Sequence, residues 1–181
     1  MGYIYKLVNL QDYILSNTHQ YFEMVLYAAV CFFLPLFVGH PQIFVGIMVN
    51  TLLIASALNV KGNKLLPVII APALGALSRG ILFGPFTIFL VYMIPFIWIG
   101  NFILVFAIKQ LALDKKINRF VSLGIGAIAK ALFLFIIAFT LVKIGFLPAV
   151  FLTAMGIMQL YTAIAGGLLA FGLQGVKKKV V

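Results

Sequence analysis

The sequence predicts an all-α integral membrane protein: one bundle of six transmembrane helices spanning residues 1–181, both termini cytoplasmic, with a short N-terminal interfacial helix. Three observations carry that prediction. Hydrophobic residues make up 65% of the chain and charged residues 9%, against about 45–50% and 25% in soluble domains; the mean hydropathy is +1.22. Apolar runs of bilayer-crossing length recur along the chain, separated by short polar turns. The cations are also sorted. If the runs cross alternately, Lys6, Lys61, Lys64, Lys109, Lys115, Lys116, Arg119, Lys177, Lys178 and Lys179 share one side, and only Arg79 and Lys143 lie on the other. Basic loops stay cytoplasmic, so this asymmetry fixes the orientation in the plasma membrane.

The N-terminal stretch 3–15 places Ile4, Leu7, Val8 and Ile14 among Lys6, Asn9, Gln11 and Asp12. That spacing fits a helix lying on the membrane surface. It is too polar for a cleavable signal peptide, so the first span is expected to serve as its own targeting signal. Ser16, Asn17 and Thr18 offer N-cap chemistry for that span, read as residues 21–38. Gly39 and Pro41 break it, and the second span follows over 43–60. The third run, 65–78, is short and carries Pro67 and Pro72. It is expected to stop early or break at the prolines, with 80–85 folding back as an outer loop. The fourth span, 86–108, holds Pro95, which should kink it. The longest polar loop, 109–119, leads to the fifth span, 120–142. Pro148 then suits the first turn of the sixth, 146–173.

Against this apolar background a few polar residues stand out. Lys130 lies ten residues into its run, about 15 Å along the helix and close to the bilayer midplane. A charge there costs at least about 2.5–3.5 kcal/mol, so it normally faces a bundle interior or a wet cavity. Partial snorkelling to the interface is the bland alternative. Asn50, Asn101 and Gln159 fall at comparable depths; singly, each can be an interhelical hydrogen bond, but around one cation they resemble a ligand pocket. Arg79 ends the broken third run, where a guanidinium can hold a carboxylate or phosphate bidentately or cap that helix's last carbonyls. His40 and Gln42 sit on the outer turn before the second span, where a lone histidine is often structural. Trp98 and Tyr92 offer rings for stacking. Small residues at i, i+4, namely Ala127 with Ala131, Ala163 with Gly167 and Gly166 with Ala170, mark close helix contacts.

Several function classes are disfavoured. The net charge of +10 comes with no nucleic-acid-binding motif, so the bases serve orientation. Cys31 is the only cysteine and reads as a small buried hydrophobe. No carboxylate pair, zinc-type His/Cys grouping or phosphate-binding loop is present, and Ser78 and Ser122 lack acid and base partners. The chain is read as a non-enzyme needing no cofactor.

The stretches LPLFVGHPQIFVGIMVNTLLIASAL and LLPVIIAPALGALSRGILFGPFT, within a six-span layout under 200 residues, resemble the substrate-binding S components of energy-coupling factor (ECF) transporters. The resemblance is one of layout and texture over the whole chain. It implies vitamin-type nutrient uptake, with a ligand held near the outer face beneath loops 39–42, 79–85 and 143–145. It implies a pocket collecting His40, Gln42, Arg79, Trp98, Lys130 and Gln159. It also implies a transmembrane coupling subunit and partner ATPases. Many members dock through Ala-x-x-x-Ala in the first span; here Ala28-Ala29 is followed by Phe32 and Phe33, and the motif is absent. The expectation is therefore capture of a small, water-soluble, anionic nutrient. Arg79 and Lys130 would neutralise it, Trp98 and Tyr92 would stack on it, and Asn50 and Gln159 would orient it. The competing expectation is a structural or ion-conducting subunit of a membrane redox or ion-pumping complex.

Overall fold

Apolar runs with few breakers satisfy their backbone polar groups only as helices when water is excluded, and most of the described residues are helical. The computed structural model describes residues 2–12, 15–38, 40–83 and 87–180, with no side-chain description for 81–83, 87 and 177–180. The elements are α1 (Tyr3–Val8), α2 (Asn17–Phe37), α3 (Gln42–Asn59), a 3-10 turn (Gly62–Lys64), α4 (Leu65–Phe83), α5 (Thr87–Ala107), a π-helical extension (Ile108–Asp114), α6 (Arg119–Lys143), α7 (Val150–Met155) and α8 (Ile157–Val180); no strand occurs among the described residues. Among the described residues, five helical stretches are long and apolar enough to cross a membrane: Asn17–Phe37, Gln42–Asn59, Ile88–Asp114, Arg119–Lys143 and Val150–Val176. The protein is a multi-pass membrane protein of helical class.

α6 shows how the bundle is arranged. It buries Leu123, Ala127, Lys130, Ala131, Leu134 and Ala138, while Ile125, Ile128, Leu132 and Ile136 point outward and exposed. These outward residues are thus all large and apolar, while the inward ones mix leucines and alanines with one charged side chain, so polarity turns in, the reverse of a soluble helix. α3 is the central element: 61% of its apolar window is buried, against 17–33% for the other four candidate spans. It packs on α8, α2, α5 and α4, while α2 pairs with α4 and α5 with α6.

One end of the bundle is laced by polar contacts. Asp12 pairs with Arg119 at the start of α6 at 2.7 Å, and Gln174 near the end of α8 donates to Asn59 Oδ1 at 2.7 Å and to Asp12 Oδ2 at 3.3 Å. Lys109 Nζ donates to the carbonyls of Leu10 at 2.6 Å and Val60 at 3.0 Å. Lys64 donates to Asn17. The start of α2, the ends of α3 and α8 and the start of α6 therefore meet here. The opposite end holds the α2–α3 turn and the C-terminal part of α4.

Several expectations need correction. The third run neither stops at residue 78 nor breaks at its prolines: α4 continues through Phe83 with Pro72 inside it. Pro67 falls in the first turn, where no intrahelical donor is missed. At Gly75 an added Cβ would lie 2.1 Å from the Phe32 carbonyl oxygen; α4 thus presses onto the α2 backbone, and that packing outweighs the one hydrogen bond Pro72 removes. Residues 80–83, expected in a loop, are helical, while 84 and 85 lie outside the described residues. The polar loop expected over 109–119 is helical as far as Asp114. The sixth run is split at Gly156 (φ −100°, ψ −101°) into α7 and α8, and Pro148 precedes α7, accepting a hydrogen bond from Phe151 N at 3.1 Å. The N-terminal helix is only six residues long; Ile14, expected on it, lies outside the described residues. Ser16 is the N-cap of α2, accepting from His19 N.

Candidate functional site

A cavity of about 570 Å³ opens among α2, α3, α4, α5, α6, α7 and α8, within the range that suits a small organic ligand. Of the residues singled out in the sequence, His40, Gln42, Asn50, Arg79, Lys130 and Gln159 all line it, as does Asn101. The lining grades with depth. His40 and Gln42 are exposed on the α2–α3 turn, whereas Asn50, Asn101 and Lys130 are each 2% exposed. Along α3 the sequence Gln42, Val45, Gly46, Val49, Asn50 steps down one wall, about 12 Å from rim to floor at 1.5 Å per residue.

The floor is a short polar chain. Lys130, twelfth of the twenty-five residues of α6, donates from Nζ to Asn50 Oδ1 at 2.7 Å. Asn50 Nδ2 donates to the Gly46 carbonyl at 2.9 Å and to Thr162 Oγ1 at 3.1 Å. Thr162 in turn donates to the Met158 carbonyl at 2.8 Å. Both amide hydrogens of Asn50 are thereby spent, which fixes its oxygen toward the lysine. α8 reaches this position because of Gly166, where a Cβ would lie 2.7 Å from the Ile47 carbonyl oxygen and 2.9 Å from Asn50 Cβ. The absent side chain at residue 166 thus seats the asparagine that holds Lys130.

The chain's three carboxylates are engaged away from this floor. Asp12 pairs with Arg119, Asp114 accepts from Tyr3 Oη at 3.3 Å, and Glu23 accepts from Tyr27 Oη at 3.1 Å. Among the described residues, Asn50 is the one hydrogen-bond partner of the Lys130 ammonium, which can donate three times. A buried cation without a carboxylate is costly unless a ligand or another chain supplies the counter-charge.

At the rim, Arg79 Nη1 donates to the carbonyls of Leu36 at 3.2 Å and Phe37 at 3.3 Å. Arg79 thereby caps the C-terminus of α2. Trp98 and Tyr92 do not line the cavity. Trp98 Nε1 donates to the Ile70 carbonyl at 3.2 Å and ties α5 to α4, while Tyr92, 42% exposed, meets the Phe146 ring edge-on at 5.8 Å. Asn101 Nδ2 donates to the Ile69 carbonyl at 3.1 Å, bridging the same two helices.

Thr162 was missed in the sequence because a single threonine in an apolar helix attracts no notice. The available signal was its spacing: Gln159, Thr162, Ala163 and Gly166 lie at i, i+3, i+4 and i+7 on one face of α8. Lys109 was also misplaced. The π-helical extension turns it inward to 1% exposure, and no feature of its surroundings in the sequence distinguishes it from its loop-like neighbours.

No protein-family model matches this chain, and neither a curated protein nor a solved structure matches it.

Proposed function

We propose that the protein is a membrane substrate-capture subunit, similar in layout to ECF S components, that binds a small anionic nutrient near the outer face for uptake energised by partner ATPases through a coupling subunit. One observation carries the reading: a buried lysine with no carboxylate partner among the described residues forms the floor of a cavity whose rim lies at one end of the bundle. In this reading α4 is the sixth crossing helix. Its 19 residues span about 28 Å, close to the bilayer's apolar thickness. The laced end, where Lys61, Lys64 and Arg119 lie, is cytoplasmic, and the cavity rim faces outward. α1 then lies along the cytoplasmic interface.

Native mass spectrometry of the detergent-purified protein tests this directly. The expected result is a co-purified small anion on the wild type that is lost from a folded Lys130→Met variant. A ligand retained unchanged by that variant removes Lys130 from the site. A clean apo mass beside stoichiometric partner chains overturns capture and favours a subunit of a redox or ion-pumping complex, with a partner's acid opposite Lys130.

A further inference from the structure

We infer that the cavity selects a singly charged organic anion with an apolar body, bound with its anionic group inward against Lys130; this rests on the capture reading above. Charge counting comes first. Two basic side chains line the cavity, at different depths: Arg79 at the rim, hydrogen-bonded to the Leu36 and Phe37 carbonyls that end α2, and Lys130 at the floor. Lys130 is the cation at the floor, and Asn50 takes one of its three hydrogens. One negative group at the floor therefore balances the one cation at that depth. A second negative group at that depth would be left uncompensated among apolar helices, where an unpaired charge is strongly disfavoured.

The walls decide the rest of the molecule. Descending α3 from Gln42, the residues facing the cavity before Asn50 are Val45, Gly46 and Val49. The facing wall presents Phe151, Met155 and Met158. A polyhydroxylated or multiply charged body would lose its water against these surfaces and find few partners. An apolar body gains from the same burial. Gln159, one turn from Thr162 on α8, offers an amide for a single polar substituent. The anionic group goes to the floor because Lys130 there is shielded from water and has hydrogens to donate beyond the one Asn50 takes, whereas the rim is open and its charge is screened.

Three probes of matched shape separate the parts of this inference: 3-phenylpropionate (one negative charge), 3-phenylpropanamide (none) and phenylsuccinate (two). Each is titrated calorimetrically into the full-length detergent-purified wild type, into Lys130→Met and into Ala154→Phe, which fills the cavity from α7. 3-Phenylpropionate should bind the wild type at least about tenfold more tightly than either other probe, the worth of one charge-assisted contact. Lys130→Met should bind acid and amide alike, and Ala154→Phe neither. The acid-against-amide comparison in the wild type needs no substitution, so it stands even if Lys130→Met does not fold. Equal binding of acid and amide, both abolished by Ala154→Phe, overturns the charge rule and leaves capture standing. Tighter binding of phenylsuccinate overturns the single-charge rule. If no probe binds, the molecule weighed in native mass spectrometry decides: a singly acidic apolar compound supports the inference, and a polyanion, cation or neutral compound overturns it. A clean apo mass beside stoichiometric partners removes the capture reading itself, and this inference with it.

Discussion

Lys130 is held by a residue that is itself held twice. Asn50 is pinned by Gly46 and Thr162, and Thr162 is brought within reach because α8 touches the α3 backbone at Gly166. Gly166→Ala is therefore expected to cost about 1–3 kcal/mol, since its methyl overpacks the α3–α8 contact. Thermal unfolding in detergent measures that cost, and the same variant should bind ligand more weakly by moving Asn50. Full stability together with unchanged binding would show that the contact is not tight. At this scale the sequence was legible where chemistry is conspicuous: His40, Gln42, Asn50, Arg79, Lys130 and Gln159 stand out against apolar neighbours, and all line one cavity. It was not legible where orientation decides. Whether Trp98 and Tyr92 face inward depends on the rotation of α5, and a nearly all-apolar helix gives its sequence no amphipathic face from which to read that rotation.

At the scale of elements, helix boundaries were read from breakers, and the breakers misled in both directions. α4 keeps Pro72 inside it because its packing on α2 survives the loss of one hydrogen bond. The run after Pro148, read as a single span, contains the break at Gly156. The clearest surprise is the π-helical extension of α5. It carries Lys109 into the laced end, where one ammonium serves the carbonyl that closes α3 and another in the N-terminal segment. Lys109→Met leaves both carbonyls without that donor and should lower stability by about 2–3 kcal/mol. Asp12→Asn should cost less, about 1 kcal/mol or under, because its partner Arg119 is a third exposed and the pair is screened. Chemical denaturation of the two variants side by side checks the order; a larger loss for Asp12→Asn would reverse the assignment of which contact secures this end.

For the whole molecule, the helical class and multi-pass character follow from composition, since a chain this apolar has few other ways to satisfy its backbone. The orientation proposed here rests on the sorting of cations. In a Cys31→Ser background, Lys143→Cys should react with a membrane-impermeant thiol reagent in intact cells, and Lys116→Cys should react only after lysis. The opposite pattern would invert the molecule and place the cavity rim in the cytoplasm.

The bonds that complete both the floor and the laced end span most of the chain. Asn50 waits for Thr162, 112 residues later, Asn59 for Gln174, 115 later, and Asp12 for the same glutamine, 162 later. Contacts so far apart in sequence cannot form while the chain is still emerging from the ribosome. The earlier helices can enter the bilayer one by one, but the central helix lacks these side-chain partners until α8 arrives. The polar floor beneath the cavity is therefore completed only in a late step of biogenesis, when α8 slides its glycine against α3.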